Sequence, residues 1–416
     1  MSSDLLSYGD AAALVASHIK RLGRRSRKVE RVSLESARGR VLASPLRADA
    51  DQPPFPRSTR DGFACRAAEV KGGKSLRVAG TTRAGEPAAG ALPECAAWEI
   101  MTGAPVPLGA DCVVMLEHVD VEKGNLSLAP GCKISAGDNI VPQGAQARRG
   151  DELLALGAPI GFAHIALAAA CGHETLEVFA KPRVAILSTG DEIVPVSSTP
   201  GPAQIRNSNG PMLAAMVAGA GGEPLILPIT RDEAGALDAV IAQARKADML
   251  LVTGGVSAGK FDLVEPALAR AGAEFHFTGV RIQPGKPLVF GALKCADGAG
   301  TIPFFGLPGN PVSSAVTFEL FAAPVLAALA GSRDEGPRFA LAQLRRETGK
   351  QSKGGLTRFL PALCSFGKDG ELPDVELVPW HGSGDIAAMA RANCFLVLDD
   401  ESSRPEPGET VRVLLI

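Results

Sequence analysis

The sequence predicts a multi-domain α/β plus β protein: a mixed helical domain, a β-rich insertion, a central doubly wound α/β domain and a small C-terminal β domain. Three observations predict it. The chain has 416 residues, which at about 150 residues per domain suggests about three domains. From residue 181 apolar strands alternate with helical patterns, as in a parallel sheet covered on both faces. On either side of that stretch the texture changes to short strands and turns. Hydrophobic residues make up 46% and charged residues 21%, which excludes a disordered chain. A net charge of -2 draws the protein to neither nucleic acid nor anionic membrane.

In chain order, Val15, Ile19 and Leu22 fall at i, i+4 and i+7 of a first helix that Gly23 would stop. The basic run Arg24, Arg25, Arg27, Lys28 and Arg31 is broken by Glu30 and reads as a solvated helix end. Residues 51–140 form the insertion. There Asp61-Gly62 precedes Phe63, residues 113–116 are an apolar strand, and Lys123-Gly124-Asn125 turns a hairpin between 119–121 and 126–128. Residues 1–50 and 141–180 flank it as a discontinuous first domain. The α/β domain, 181–331, has strands at 184–187, 225–229, 249–252, 275–277, 288–290 and 302–305. Its helices are expected over 211–218, 234–246, 263–270 and 312–329. Residues 332–416 carry strands at 356–360, 395–398 and 411–415. No apolar run approaches the ~18 residues of a membrane span. The start lacks the basic-then-apolar order of a signal peptide, and the eight cysteines show no CxxC, so reduced thiols in a cytoplasmic protein are expected.

Three Gly-rich turns follow strand ends. They are Ser188-Thr189-Gly190-Asp191-Glu192, Gly254-Gly255-Val256-Ser257-Ala258-Gly259 and Leu307-Pro308-Gly309-Asn310-Pro311-Val312-Ser313. In a parallel sheet all three fall on the carboxyl edge, where ligands bind, and beside helix starts whose free N–H groups attract anions. The middle turn imitates a P-loop, but Phe261 replaces the Ser or Thr that would hold magnesium. It also matches the nucleophile elbow of hydrolases around Ser257, although only His381 follows His276 and no HGGG-type loop lies upstream. Asp191, Glu192, Asp232 and Asp262 lie at or just beyond strand ends. Carboxylates so placed would repel a phosphate unless a hard cation such as magnesium bridges them. Lys286, in Gln283-Pro284-Gly285-Lys286-Pro287, offers a point charge to the same anion.

These segments carry a family resemblance. Pro54-Phe55-Pro56-Arg57-Ser58-Thr59-Arg60-Asp61-Gly62-Phe63-Ala64 and Met101-Thr102-Gly103-Ala104-Pro105-Val106-Pro107 resemble signatures of the molybdopterin molybdenumtransferases, relatives of the gephyrin E domain. So do the three turns and Pro284-Gly285-Lys286-Pro287, in the family order. The resemblance implies insertion of molybdate into adenylylated molybdopterin, giving molybdenum cofactor and AMP with Mg2+. It implies an elongated homodimer of four-domain subunits, with a molybdopterin-binding α/β domain and a barrel-like C-terminal domain. The insertion of one subunit would approach the α/β domain of the other. Molybdopterin adenylyltransferases and recipient molybdoenzymes are the implied partners, with neither nucleic acid nor membrane.

Residue by residue, the resemblance gives Asp61 and Thr102 catalytic places facing the partner's site. Glu192, Asp232 and Asp262 would hold magnesium and substrate, and Lys286 the phosphate or molybdate. Ser188, Thr189, Gly190, Asp191, Gly254, Gly255, Ser257, Gly259, Pro308, Gly309, Asn310, Pro311 and Ser313 would form the substrate loops. Arg358 and Ser383 would join them from the C-terminal domain. Three features depart from the family pattern: Gln146, where Gly-Glu-Asp is frequent, Gln283, which replaces the first lysine of a Lys-Pro-Gly-Lys-Pro run, and the shifted arginine spacing around Arg358. A non-catalytic gephyrin-like scaffold and a serine hydrolase using Ser257 are the alternative readings.

Overall fold

The computed structural model describes residues 5–22, 27–87, 90–231, 233–255, 263–298, 300–333, 336–349, 355–365, 367, 371–399 and 405–416. Asp232, Ser257, Gly259 and Asp262 therefore lie outside the described residues. In a six-stranded sheet, strand Arg183–Ser188 lies next to the edge strand Glu223–Ile226, with Met249–Thr253 on its other side, both parallel to it. Strand Thr301–Leu307 is parallel to Met249–Thr253, and Val289–Lys294 and Glu274–Phe277 add antiparallel strands beyond it. The expected parallel sheet is thus mixed at one edge. No helix separates the last three strands of the sheet, and an antiparallel return needs no crossover.

Period-two burial splits the central strands between two cores. Val184, Ile186, Met249 and Leu251 face one helical layer. Ala185, Leu187, Leu250 and Val252 face the other, against Leu237, Ile241, Val264 and Leu268. The first layer also takes the helix Tyr8–Leu22. Its buried stripe Ala11, Val15, Ile19 and Leu22 packs in the α/β core rather than with residues 141–180. Helical structure over Pro311–Leu329 is long and apolar enough for a membrane span by length and composition, but 78% of that window is buried inside the protein. It is the core helix of this layer, interrupted by a π-helical turn at Phe318–Ala322.

The segments flanking the insertion pair with each other: Val29–Ser33 with Thr175–Phe179, and Leu46–Arg47 with Glu152–Leu154. The insertion is a six-stranded sheet with its own core around Phe63, Val70, Leu76, Val114 and Leu126. Its hairpin Val119–Glu122 with Asn125–Leu128 turns through Lys123 and Gly124, with φ of 49° and 79°. Positive φ at both positions is the two-residue turn whose twist suits a hairpin. At the other end of the chain, strands Phe339–Leu344, Thr357–Ser365, Asp374–Leu377, Cys394–Leu398 and Thr410–Leu415 close into a small barrel through the pairing of the second with the fourth. The barrel is not separate. Ile282–Gln283, from the α/β domain, adds to it in parallel with Thr357 and Arg358.

Candidate active site

That added strand decides where the site forms. By fixing Gln283 beside Arg358 it swings the following Pro-Gly-Lys-Pro loop against the barrel, where a cavity of about 600 Å³ opens. Its walls come from three segments: Gln283 to Pro287, then Pro308, Asn310 and Ser313, then Arg358 with residues 380–383 of the barrel. The second and third are tied directly. Asn310 precedes the helix start at Pro311, but its side chain makes no cap bond. Its Nδ2 instead donates to Ser383 Oγ at 2.8 Å, and Val312 N–H donates to the Ser383 carbonyl at 3.0 Å.

The cavity is cationic. Lys286 and Arg358 supply the charge, His381 and the hydroxyls of Ser313 and Ser383 line it with them, and among the described residues no carboxylate does. Burial pushes the Arg358 guanidinium below its ordinary range, yet an arginine remains charged in a protein. Asp385 anchors the barrel loop from outside the cavity, accepting from the N–H groups of Ala388 and His381 at 3.0 Å each. Those two bonds hold its carboxyl below the usual carboxylate range. A pocket of converging positive charge and hydroxyl donors suits a small tetrahedral oxyanion.

The described part of the middle turn, at Gly254, meets the first turn at Thr189 and the third at Gly309 on the carboxyl edge, as the alternation of strands and helices predicts. Gly254 has φ of 89°, and a Cβ there would lie 2.3 Å from the Thr189 carbonyl oxygen, so only glycine permits the first two turns to touch. Ser188 and Thr189 are buried beneath the surface, while Asp191 and Glu192 are exposed. The Glu192 carboxylate folds back over Gly190, where an added Cβ would lie 2.6 Å from its Oε2. Among the described residues no group of three His, Cys, Asp or Glu side chains could hold a metal. Glu192 offers one hard oxygen donor at the sheet edge, which by itself does not make a magnesium site.

Asp61 and Thr102 are brought together on the insertion sheet. Asp61 Oδ1 accepts from the Thr102 main-chain N–H at 2.6 Å and from its Oγ1 at 2.9 Å. These two bonds hold the exposed Asp61 carboxyl below the usual carboxylate range. Gly62 next to it is required by packing, since a Cβ would lie 2.0 Å from the Val114 carbonyl oxygen.

Known proteins match this chain along its whole length. The family description "MoeA N-terminal region (domain I and II)" matches residues 6–172. "Probable molybdopterin binding domain" matches 185–328, and "MoeA C-terminal region (domain IV)" matches 344–416. The molybdopterin molybdenumtransferase of Bacillus subtilis (strain 168) is 34% identical over 418 residues, covering 98% of this chain and 93% of its own. That of Haemophilus influenzae is 32% identical, covering 93% of each.

This chain belongs to the molybdopterin molybdenumtransferase family.

A crystal structure of the molybdopterin biosynthesis moeA protein from Pyrococcus horikoshii OT3 superposes with a TM-score of 0.80 at 26% identity, covering 99% of this chain and 100% of that one. A second gives 0.74 at 30% identity, covering 99% of both chains. Of the residues singled out by resemblance to the molybdopterin molybdenumtransferases, Lys286, Pro308, Asn310, Ser313, Arg358 and Ser383 line one cavity. Gly309 and Pro311 belong to the same loop. Asp61, Thr102, Asp191 and Glu192 do not line that cavity. The departing Gln283 lines it, whereas Gln146 lies in the first domain, its N–H donating to the Gln52 carbonyl at 2.8 Å. His381 entered the sequence reading only as a hydrolase candidate, yet it faces the cationic cavity and lies 3.4 Å from Asp385 through Nδ1. Its spacing of four from Asp385 is the one sequence signal that marks it.

Proposed function

We propose that this member of the molybdopterin molybdenumtransferase family is a transferase that inserts molybdenum into molybdopterin. The observation that carries the chemistry is the cavity lined by Lys286, Arg358, His381, Ser313 and Ser383, with no carboxylate among the described residues. Molybdate is a small tetrahedral dianion; cations neutralise it, and hydroxyl and amide groups such as those of Ser383 and Asn310 orient its oxygens. The three turns at the carboxyl edge adjoin that cavity through Pro308 and Asn310, and exposed glycine backbone there can approach the pterin and its phosphate closely.

In its finer form the reaction takes adenylylated molybdopterin and molybdate to molybdenum cofactor and AMP. Magnesium would be held by Glu192 with Asp232 and Asp262 and would neutralise the phosphate. Glu192, exposed at the sheet edge, supports this. The protein works as a cytoplasmic homodimer, with molybdopterin adenylyltransferase and recipient molybdoenzymes as its partners. Two features support dimerisation. Asp61 and Thr102 form an exposed pair on the insertion sheet, outside the cationic cavity, and the apolar helix Phe162–Ala170 leaves Phe162 82% exposed. A gephyrin-like scaffold would need no cationic cavity, and the relatives that match along the chain are named as transferases rather than hydrolases.

The test is AMP release from adenylylated molybdopterin by the purified protein, with molybdate and magnesium varied separately. Release should require both. Release independent of molybdate contradicts an insertase.

A further inference from the structure

Residues 207–209 stand at the start of the helix Asn209–Gly219, and their side chains reach all three carboxyl-edge turns. Asn207 Oδ1 accepts from the Ser188 hydroxyl at 3.2 Å and from Gly210 N–H at 2.9 Å, which fastens the first turn to the helix start. Asn209 Nδ2 donates to Thr253 Oγ1 at 2.7 Å and to the Gly309 carbonyl at 2.7 Å, joining the second turn to the third. The Gly309 carbonyl can only accept, so the Asn209 amide is oriented with its NH2 toward the loops. Thr253 Oγ1 reaches Ser314 Oγ at 3.3 Å, and Ser314 Oγ donates to the Pro308 carbonyl at 2.5 Å. The network thus ends on the proline that lines the cationic cavity.

Its cost is visible. Asn209 is 8% exposed and Thr189 2%, yet Asn209 Oδ1 and Thr189 Oγ1 have no hydrogen-bond partner. Leaving buried polar atoms unpaired is unfavourable, and capping does not explain it, because the cap position of this helix is Ser208 and Asn209 is its first residue. The amide does something a cap does not: it sets the distance between the Gly254 turn and the Pro308 to Pro311 loop.

We infer that Asn209 is a positioning residue of the insertion reaction, holding the Pro308 to Pro311 loop in register with the Gly254 turn by donating to Thr253 and Gly309. It touches no substrate and acts through those two residues. The inference rests on the proposed insertase reading. A loop shifted by about 1 Å can cost on the order of 100-fold in rate.

The experiment compares wild type, Asn209→Ala, Asn209→Asp, Thr253→Val and Thr253→Ser in molybdate-dependent AMP release, with melting curves for each. Asn209→Ala and Asn209→Asp should lose about 10- to 100-fold in kcat/KM. The loss should appear in KM for adenylylated molybdopterin as well as kcat, at temperatures where the variants remain folded. Thr253→Ser keeps the hydroxyl and should retain wild-type turnover, whereas Thr253→Val should fall part of the way. Should Asn209→Ala not fold, the Thr253 pair decides: equal activity of Val and Ser overturns the inference. So do Asn209 variants that melt lower but keep wild-type kcat and KM, since that is a structural role alone. A wild type that releases no AMP in response to molybdate would instead overturn the insertase reading.

Discussion

The Asp61–Thr102 pair is complete within one sheet, whereas the cationic cavity takes its walls from three segments of two domains. Asp61 follows directly from local chemistry. An Asp-Gly turn opens the strand Gly62–Cys65, and the turn after Ala96–Ile100 delivers Thr102 N–H and Oγ1 to its carboxylate. The cavity has no such local origin. Lys286 and Arg358 are 72 positions apart in sequence (358 − 286), and they meet because Ile282–Gln283 leaves its own domain to lie beside Thr357 and Arg358. The Asp61 carboxylate is held by one residue of the same sheet, 41 positions away in sequence. A pocket of positive charge is only as well defined as the domain junction that assembles it.

The largest effect should come from the junction's charges. Lys286→Ala and Arg358→Ala should each lower molybdate-dependent turnover about 100-fold or more, the size of losing one positioned electrostatic donor. Steady-state AMP release checks it, and activity within about 3-fold of wild type for either variant would detach that residue from the anion site.

Next in size is a purely structural change on the other side of the comparison. Gly62→Ala forces a Cβ to within 2.0 Å of the Val114 carbonyl oxygen, so the insertion sheet must shift. We expect a loss of roughly 2–3 kcal/mol of stability, read from urea unfolding. Molybdate affinity of the folded fraction should be unchanged, because the cavity shares no residue with that sheet. A matching loss of affinity would show that the two regions are coupled.

The smallest effect concerns acid. Folding depresses the Asp61 carboxyl below its ordinary value of 3.8, so its contribution to stability is present above that value and lost as pH falls through the lower, folded one. Asp61 is therefore charged throughout the range from about pH 5 to 8. Thr102→Val removes the Oγ1 donor but keeps the main-chain N–H, which is the larger cause. Its carboxyl should titrate slightly higher, still below 3.8, by carbon-detected NMR. Turnover between about pH 5 and 8 should keep its wild-type pH profile; a new acidic limb in that range would mean that the Thr102 hydroxyl, rather than its main-chain N–H, is the chief hold on Asp61.

Much of this was legible in the residues. The turn through Lys123 and Gly124 and the strands feeding the Gly-rich turns are local patterns of backbone geometry, whereas Asp61 and Thr102 are picked out as site residues only by the family resemblance of their motifs. What escaped is non-local or visually disguised. Ile282–Gln283 is two residues long, too short for any periodic signal. Phe339–Leu344 exposes Phe339 and Leu341 while burying Ala342 and Leu344, so its apolar residues do not alternate. The first helix shows its apolar stripe plainly, but a stripe does not say which domain will cover it. Asn209 carries no motif of its own; its role depends on Thr253 and Gly309, 44 and 100 residues away.

The comparison itself is tested most directly by equilibrium binding of molybdate, measured calorimetrically at fixed low salt, to wild type, Lys286→Ala and Asp61→Ala. The account predicts that Lys286→Ala loses measurable binding, because its charge lines the cavity. Asp61→Ala should bind within about 3-fold of wild type, since removing an exposed carboxylate takes no attraction away from an anion. Binding that survives in Lys286→Ala, or that disappears in Asp61→Ala, would contradict it.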